Sequence, residues 1–254
     1  MPSVLVKQVR ALSGRGMRRA KNQLTLGAFG CILAPLWSLL TDEKRKAYMK
    51  ILAVSDQVVP SIYGPCIRDR FGDVDMVISC GDLPYYYLEF IVTMLNVPCL
   101  YVHGNHDRPE LKSDGHQLVE PGGWINLDGR TAHSKGLVIG GLEGSIRYRP
   151  NAPYQYSEPE MAFKARLMTL RLFINRLRHA RYLDILVTHS PPYGIHDGTD
   201  LPHHGFKSFL WFMSRFRPRY LLHGHKHFYV PETWRTRYLD TEVINVYPFR
   251  VIEW

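Results

Sequence analysis

The chain lacks any paired-cysteine motif. Cys31, Cys66, Cys80 and Cys99 show no CxxC spacing, which argues against a zinc ribbon or a thioredoxin-like redox pair. Cys80 and Cys99 sit at or within apolar, strand-like runs and read as buried free thiols of a reducing compartment. Internal repeats and low-complexity linkers are lacking after Lys50. Acidic residues are outnumbered, 23 Asp and Glu against 32 Lys and Arg, for a net charge of +9. That excess suits an anionic partner without choosing among nucleic acid, an acidic membrane surface and a charged small substrate. An unbroken membrane-length apolar run is lacking too. Residues 24–40 are mostly apolar and follow the basic stretch 15–21, but they contain Gly27, Gly30 and Pro35 and are short for a span. Residues 1–48 are therefore expected to form a basic and apolar N-terminal extension, disordered or docked as a helix. Association of residues 15–48 with a membrane surface is the alternative. Residues 49–254 read as one domain, long enough to bury a core without disulfides.

What the sequence does have is five short apolar runs that end in metal-ligand residue types. Ile51-Leu-Ala-Val54 leads to Asp56, and Met76-Val-Ile78 to Gly81-Asp82. Cys99-Leu-Tyr-Val102 leads to His103-Gly104-Asn105-His106-Asp107. Ile185-Leu-Val187 leads to His189, and Tyr220-Leu-Leu222 to His223-Gly224-His225-Lys226-His227. Five such ends in one chain predict strands converging on a site, because ligands of open α/β sheets bind beyond the carboxyl ends of the strands.

Between them the pattern alternates strand-like and helix-like segments. Strands are expected at 51–55, 76–79, 99–103, 124–127, 137–141, 242–247 and 250–253, and helices at 86–95, 158–180 and 207–216. The 158–180 helix reads as amphipathic, with Phe163, Leu167, Leu170, Ile174 and Leu177 recurring at helical spacing. Its basic side reads as a solvated face.

Gly81-Asp82, Gly104-Asn105-His106-Asp107, His189 in Thr-His-Ser-Pro-Pro, and Gly224-His225-Lys226-His227 resemble, in order and spacing, the calcineurin-like metallophosphoesterases. The resemblance spans nearly all of residues 51–227. It implies a four-layer α/β/β/α sandwich of two mixed β-sheets flanked by helices. It also implies hydrolysis of a phosphomonoester or phosphodiester by a metal-bound hydroxide at a dinuclear centre of manganese, iron or zinc. Two cations offset the phosphate's charge and orient attack in line. Carried over, Asp56, Asp82 and His227 would bind the first metal, and Asp82, Asn105, His189 and His225 the second. His106 would assist the leaving group, with Asp107 orienting it.

The chain departs from the family at its first motif, usually Asp-x-His, which here reads Asp56-Gln57-Val58. The first metal position is short of one ligand, so its metal is expected to bind weakly, to recruit a substitute such as Gln57 or a histidine from elsewhere, or to be lost together with catalysis. His203 and His204, in the loop after the His189 strand, are candidates to fill it or to reach the phosphate; exposed loop histidines are the equal alternative. His103 and His223 read as supporting residues rather than ligands. Two rival readings stand: a non-catalytic scaffold with a partly degraded site, and a nuclease or cyclic-nucleotide phosphodiesterase, which differs by substrate rather than by fold and is mildly favoured by the basic charge. The expected partner is a phosphorylated substrate, with nucleic acid as an alternative and no protein partner. The expected compartment is the cytoplasm, or the inner membrane surface if the N-terminal segment anchors the chain.

Overall fold

The computed structural model describes residues 48–111, 115, 117–227 and 233–254. The expected N-terminal extension, with its membrane-associating alternative, lies outside these residues apart from Tyr48. Two large sheets carry the fold. In chain order their strands are β1 (Lys50–Val54), β2 (Met76–Ser79), β3 (Cys99–Tyr101), β4 (Ile125–Asn126), β5 (Thr131–Ser134), β6 (Leu137–Leu142), β7 (Ile185–Thr188), β8 (Tyr220–His223), β9 (Arg235–Tyr238), β10 (Thr241–Asn245) and β11 (Phe249–Glu253). The helices are α1 (Ile67–Phe71), α2 (Tyr85–Leu95), α3 (Glu158–His179) and α4 (Lys207–Phe216).

The first sheet runs β11-β1-β2-β3-β4 and the second β9-β10-β8-β7-β6-β5. Within each sheet the central strands are parallel, and β11, β9 and β5 join antiparallel at edges. Both sheets are therefore mixed, as expected. Their central strands are covered on both faces and so read as continuous apolar runs rather than alternating ones.

Residue parity builds the four layers. Ile51, Ala53, Met76, Ile78 and Leu100 of the first sheet meet Ile139, Ile185, Val187, Leu222 and Ile244 of the second. The intervening Leu52, Val54 and Val77 face the other way, onto Ile67, Phe71, Leu88 and Ile91 of α1 and α2. On the far side, Val138, Leu186, Leu221 and Val243 pack under α3 and α4. The expected α/β/β/α sandwich is the observed one. Cys80 and Cys99 are buried free thiols, as read from their runs.

α3 begins where the Glu160 carboxylate accepts the Ser157 backbone N–H, at 2.7 Å, a capping contact that satisfies one open donor of the first turn. It ends with Ala180 in the left-handed region, at φ 58°. The face it buries is not the stripe singled out in the sequence. Met161, Ala165, Met168 and Leu172 pack on the second sheet, whereas Phe163, Leu167, Leu170, Ile174 and Leu177 are all exposed. The helix carries two apolar stripes on opposite sides, and periodicity cannot rank them. The sheet chooses: a Cβ on Gly140 of β6 would lie 2.2 Å from Met168 Cε, so the glycine admits the Met168 side. Among the described residues no helix is long and apolar enough to cross a membrane.

Candidate metal centre

Every expected ligand, and His106 with them, stands just past the carboxyl end of a strand. Asp56 follows β1, Asp82 follows β2, Asn105 and His106 follow β3, His189 follows β7, and His225 and His227 follow β8. Because β1–β3 belong to one sheet and β7–β8 to the other, the site spans the mouth of the sandwich. Asp56, Asp82 and His225 all adopt positive φ, at 63°, 57° and 66°. Such conformations are costly for residues with a Cβ and concentrate at functional sites.

Four of the expected ligands converge. His189 Nε2 lies 2.9 Å from Asn105 Oδ1, 3.0 Å from His225 Nδ1 and 3.3 Å from Asp82 Oδ2. The ligand atoms of Asp82, His189 and His225 all lie within 4.8 Å of one another. Hydrogen-bond accounting shows what the cluster is short of. His189 Nδ1 donates to the Cys80 carbonyl at 2.8 Å, and His225 Nε2 donates to the Pro202 carbonyl at 2.6 Å. A carbonyl can only accept, so the ring nitrogens facing each other carry lone pairs in the neutral rings. Asn105 Nδ2 is spent on the Tyr148 hydroxyl at 3.0 Å, which turns Oδ1 inward. Four acceptors thus meet with at most one shared proton, buried at the end of the sandwich.

The electrostatics agree. Burial disfavours a charged His189, but the Asp82 carboxylate outweighs it and raises the imidazole to about 9. Burial and the neighbouring His189 push His225 down, to about 4. Burial alone would raise Asp82, but His189 holds its carboxyl at about 2. The pocket draws in one positive charge. A divalent cation with mixed nitrogen and oxygen ligands fits it, and each imidazole is already oriented through its other nitrogen, the usual support for a metal-binding histidine.

The other position is more open. Asp56 accepts the His225 backbone N–H at 3.0 Å, and His227 Nε2 lies 3.6 Å from Asp56 Oδ1. The His227 ring stacks on Tyr247 at 4.3 Å. Val58 packs against the apolar cluster between the first sheet and its helices, and Gln57 accepts from the Tyr247 hydroxyl at 2.8 Å. A cavity of about 270 Å³ is lined by Asp56, Asp82, His106, His203, His225 and His227. His203 therefore joins the site, and its Nδ1 meets the Asp200 carboxylate at 2.5 Å. His204 turns away and donates to the Thr199 carbonyl at 3.1 Å.

Asp107 does not play the part expected of it. Rather than orienting His106, its carboxylate accepts the backbone N–H groups of Asp82 and Leu83, each at 3.1 Å, and of Gly104 at 2.7 Å. It ties the loop after β2 to the loop after β3. Burial and the Asp82 carboxylate push Asp107 up, to about 7. His106 donates its backbone N–H to Asp82 Oδ1 at 2.7 Å and presents its ring to the cavity.

The supporting histidines are as read. His103 Nδ1 pairs with Glu143 at 2.9 Å. His223 joins His196 at 3.0 Å, and His196 reaches Thr236 at 2.8 Å. Sequence reasoning missed Tyr148 and the carbonyls of Cys80 and Pro202. No motif marks them, since their roles depend on position alone.

No curated protein sequence matches the chain. Among solved structures, one matches with a TM-score of 0.54 at 12% identity, covering 81% of this chain and 95% of that one. A second, the protein TT1561 of Thermus thermophilus, gives 0.53 at 17% identity, covering 79% and 89%. At these identities the likeness is one of fold. A single mutant of Vps29 from Entamoeba histolytica, at 15% identity over 78% of this chain and 73% of its own, has a TM-score of 0.31. The sequence model of the calcineurin-like phosphoesterases matches residues 49–229, which takes in β1 to β8 and every residue of the acceptor cluster. The chain belongs to the calcineurin-like phosphoesterase family.

Proposed function

We propose that the protein hydrolyses a phosphoester with the help of divalent cations held at the mouth of the sandwich. The observation that carries this reading is the cluster of four converging acceptors, Asp82 Oδ2, Asn105 Oδ1, His189 Nε2 and His225 Nδ1. Asp82, Asn105, His189 and His225 would hold one cation; Asp56, Asp82 and His227 would hold the other, with His203 in place of the ligand absent at Val58. His203 has the carboxylate-backed geometry of a metal-binding imidazole. Cations there would offset the phosphate's negative charge and lower the pKa of a coordinated water.

His106 faces the same cavity from the β3 loop, where its ring can protonate the departing oxygen. Asp107 fixes the β2 and β3 loops relative to each other and so positions Asp82 and His106 together. A recess of about 670 Å³ bounded by Arg147, Tyr148, Arg149 and Leu201 adjoins the site through Tyr148, which bonds Asn105, and through Leu201 of the His203 turn. It offers room for the remainder of a phosphorylated substrate, with the Arg149 guanidinium in its wall, whereas Arg147 is paired with Glu160 at 2.9 Å.

The test uses the full chain loaded with Mn²⁺. Bound metal is counted, and turnover of an aryl phosphodiester and an aryl phosphomonoester is followed. Wild type should bind metal and turn over at least one ester; Asp82→Asn should lose both. An Asp82→Asn protein indistinguishable from wild type in metal content and turnover would leave the scaffold reading standing instead.

A further inference from the structure

We propose that the outer face of α3, with the arginine-lined recess at its end, docks on an anionic lipid membrane. Phe163, Leu167, Leu170, Ile174 and Leu177 follow 4-3-4-3 spacing and form a ridge about 21 Å long. They are 65%, 60%, 67%, 47% and 86% exposed. A continuous exposed apolar ridge of this size on a folded domain marks an interaction surface. Its flanks are basic: Arg166, Arg171 and Arg178 are all exposed, and no acidic residue occurs from Met161 to Leu183.

The ridge runs into a second feature. A recess of about 710 Å³ at the carboxyl end of α3 includes Arg176, Arg181, Arg215, Arg217 and Arg219 in its wall. Arg181 pairs with Asp184 and Arg217 with Asp240, each at 3.2 Å. The other three lie over aromatic rings: Arg176 over Tyr182, Arg215 over Phe173 and Phe216, and Arg219 over Trp254. None of these three has a carboxylate partner among the described residues. The contact of Arg215 with Phe173, 5.9 Å from the ring centre, joins recess to ridge.

Charge decides the occupant. A second copy laid antiparallel along the ridge would bring Arg171 and Arg178 against like charges, and one laid parallel would bring Arg166 against Arg171, which opposes self-pairing. A nucleic acid would suit the arginines but not an apolar ridge. An anionic bilayer suits both: the ridge enters the boundary between headgroups and acyl chains, and the arginines meet lipid phosphates. Asp184 and Arg219 stand just before the starts of β7 and β8, at the end of the sheet away from the acceptor cluster, so the surface is separate from that site.

The test is flotation of the full chain with vesicles of phosphatidylcholine alone or with one-third phosphatidylglycerol. Binding is expected to the anionic vesicles only and to weaken with salt. Leu170→Ser/Leu177→Ser and Arg176→Glu/Arg215→Glu should each weaken it roughly tenfold or more, with thermal melting unchanged. Four results would overturn the proposal. The first is failure of wild type to float. The second is wild-type flotation of both variants, which would place any lipid contact elsewhere in the chain. The third is a dimer in sedimentation that Leu170→Ser/Leu177→Ser separates. The fourth is loss of RNA oligonucleotide binding by the arginine variant while its flotation persists.

Discussion

Gly104→Ala isolates the placement of Asp82 better than removal of any ligand. A Cβ at Gly104 would lie 2.0 Å from Asp82 Oδ1, 2.5 Å from Cγ and 2.7 Å from the Asp82 backbone nitrogen. Ordinary contact begins near 3.4 Å, so the carboxylate or its backbone must retreat by more than an ångström. Metal–ligand distances tolerate only about 0.2 Å. Retreat also breaks the bond from the His106 N–H to Asp82 Oδ1, at 2.7 Å, and separates Asp82 from His189. Loss of a supporting contact weakens a metal site about 10- to 100-fold. Displacement of a shared ligand should reach the upper end of that range or exceed it. The fold should survive, because overpacking costs about 1–3 kcal/mol, a fall of roughly 2–4 °C in Tm per kcal/mol for a domain of this size. Mn²⁺ competition against a chelating dye reads the first effect, and melting in EDTA reads the second. A Gly104→Ala protein that keeps wild-type Mn²⁺ affinity would refute both the clash and the assignment of Asp82 as a ligand.

Three further outcomes follow from the same geometry. His203→Ala should lower metal occupancy and turnover about tenfold, whereas His204→Ala, whose ring is committed to Thr199, should leave both unchanged; equal effects would remove His203 from the site. Tyr148→Phe deprives Asn105 Nδ2 of its acceptor and should weaken metal binding about tenfold with little change in melting, as measured by titration and calorimetry. Burial and the nearby Lys226 push His196 down, to about 4, so its neutral ring is the folded form. Its stabilisation is full above the ordinary histidine pKa and falls as pH drops from about 6.5 towards 4, with a slope of up to about 1.4 kcal/mol per pH unit. Urea melts of wild type and His196→Gln across that window should converge at low pH; parallel curves would refute the assignment.

The framework was legible because two independent signals coincide. Fully buried parallel strands leave continuous apolar runs, and the chemistry collects where those runs stop. Gly81-Asp82, Gly104-Asn105-His106-Asp107 and Gly224-His225-Lys226-His227 gave both strand ends and ligand types at once. What stayed hidden depends on distance in three dimensions. Asp107 neighbours His106 in sequence, yet its carboxylate is drawn to three backbone amides across the β2 and β3 loops. Tyr148 is one tyrosine of 15 until the fold sets it beside Asn105. His203 and His204 are indistinguishable as letters and are separated only by the turn at Leu201–His203. The α3 misreading has a related cause. Phe163 and Leu177 outrank Met161 and Ala165 in hydrophobicity, but the glycine-lined strand beneath accepts the slimmer face.

The acceptor cluster also bears on whether the site is in decay. Buried acceptors without a donor cost about 1–3 kcal/mol each, and His189, His225, Asp82 and Asn105 are set so that one proton cannot serve all of them. A scaffold free of catalytic demand would gain stability by replacing any one of the four with an apolar or donor side chain. The chain instead has all four, with the two imidazoles oriented by the backbone carbonyls of Cys80 and Pro202. It also holds Asp56, Asp82 and His225 at positive φ. The departure at Val58 touches only the more open position. There the lost imidazole would have come from the β1 loop, whereas His203 reaches the same cavity from the loop after β7. A ligand supplied by His203 from the opposite sheet would leave the charge of the site unchanged while altering its wall, and the proposed hydrolysis would then differ in the substrate it accepts rather than be lost.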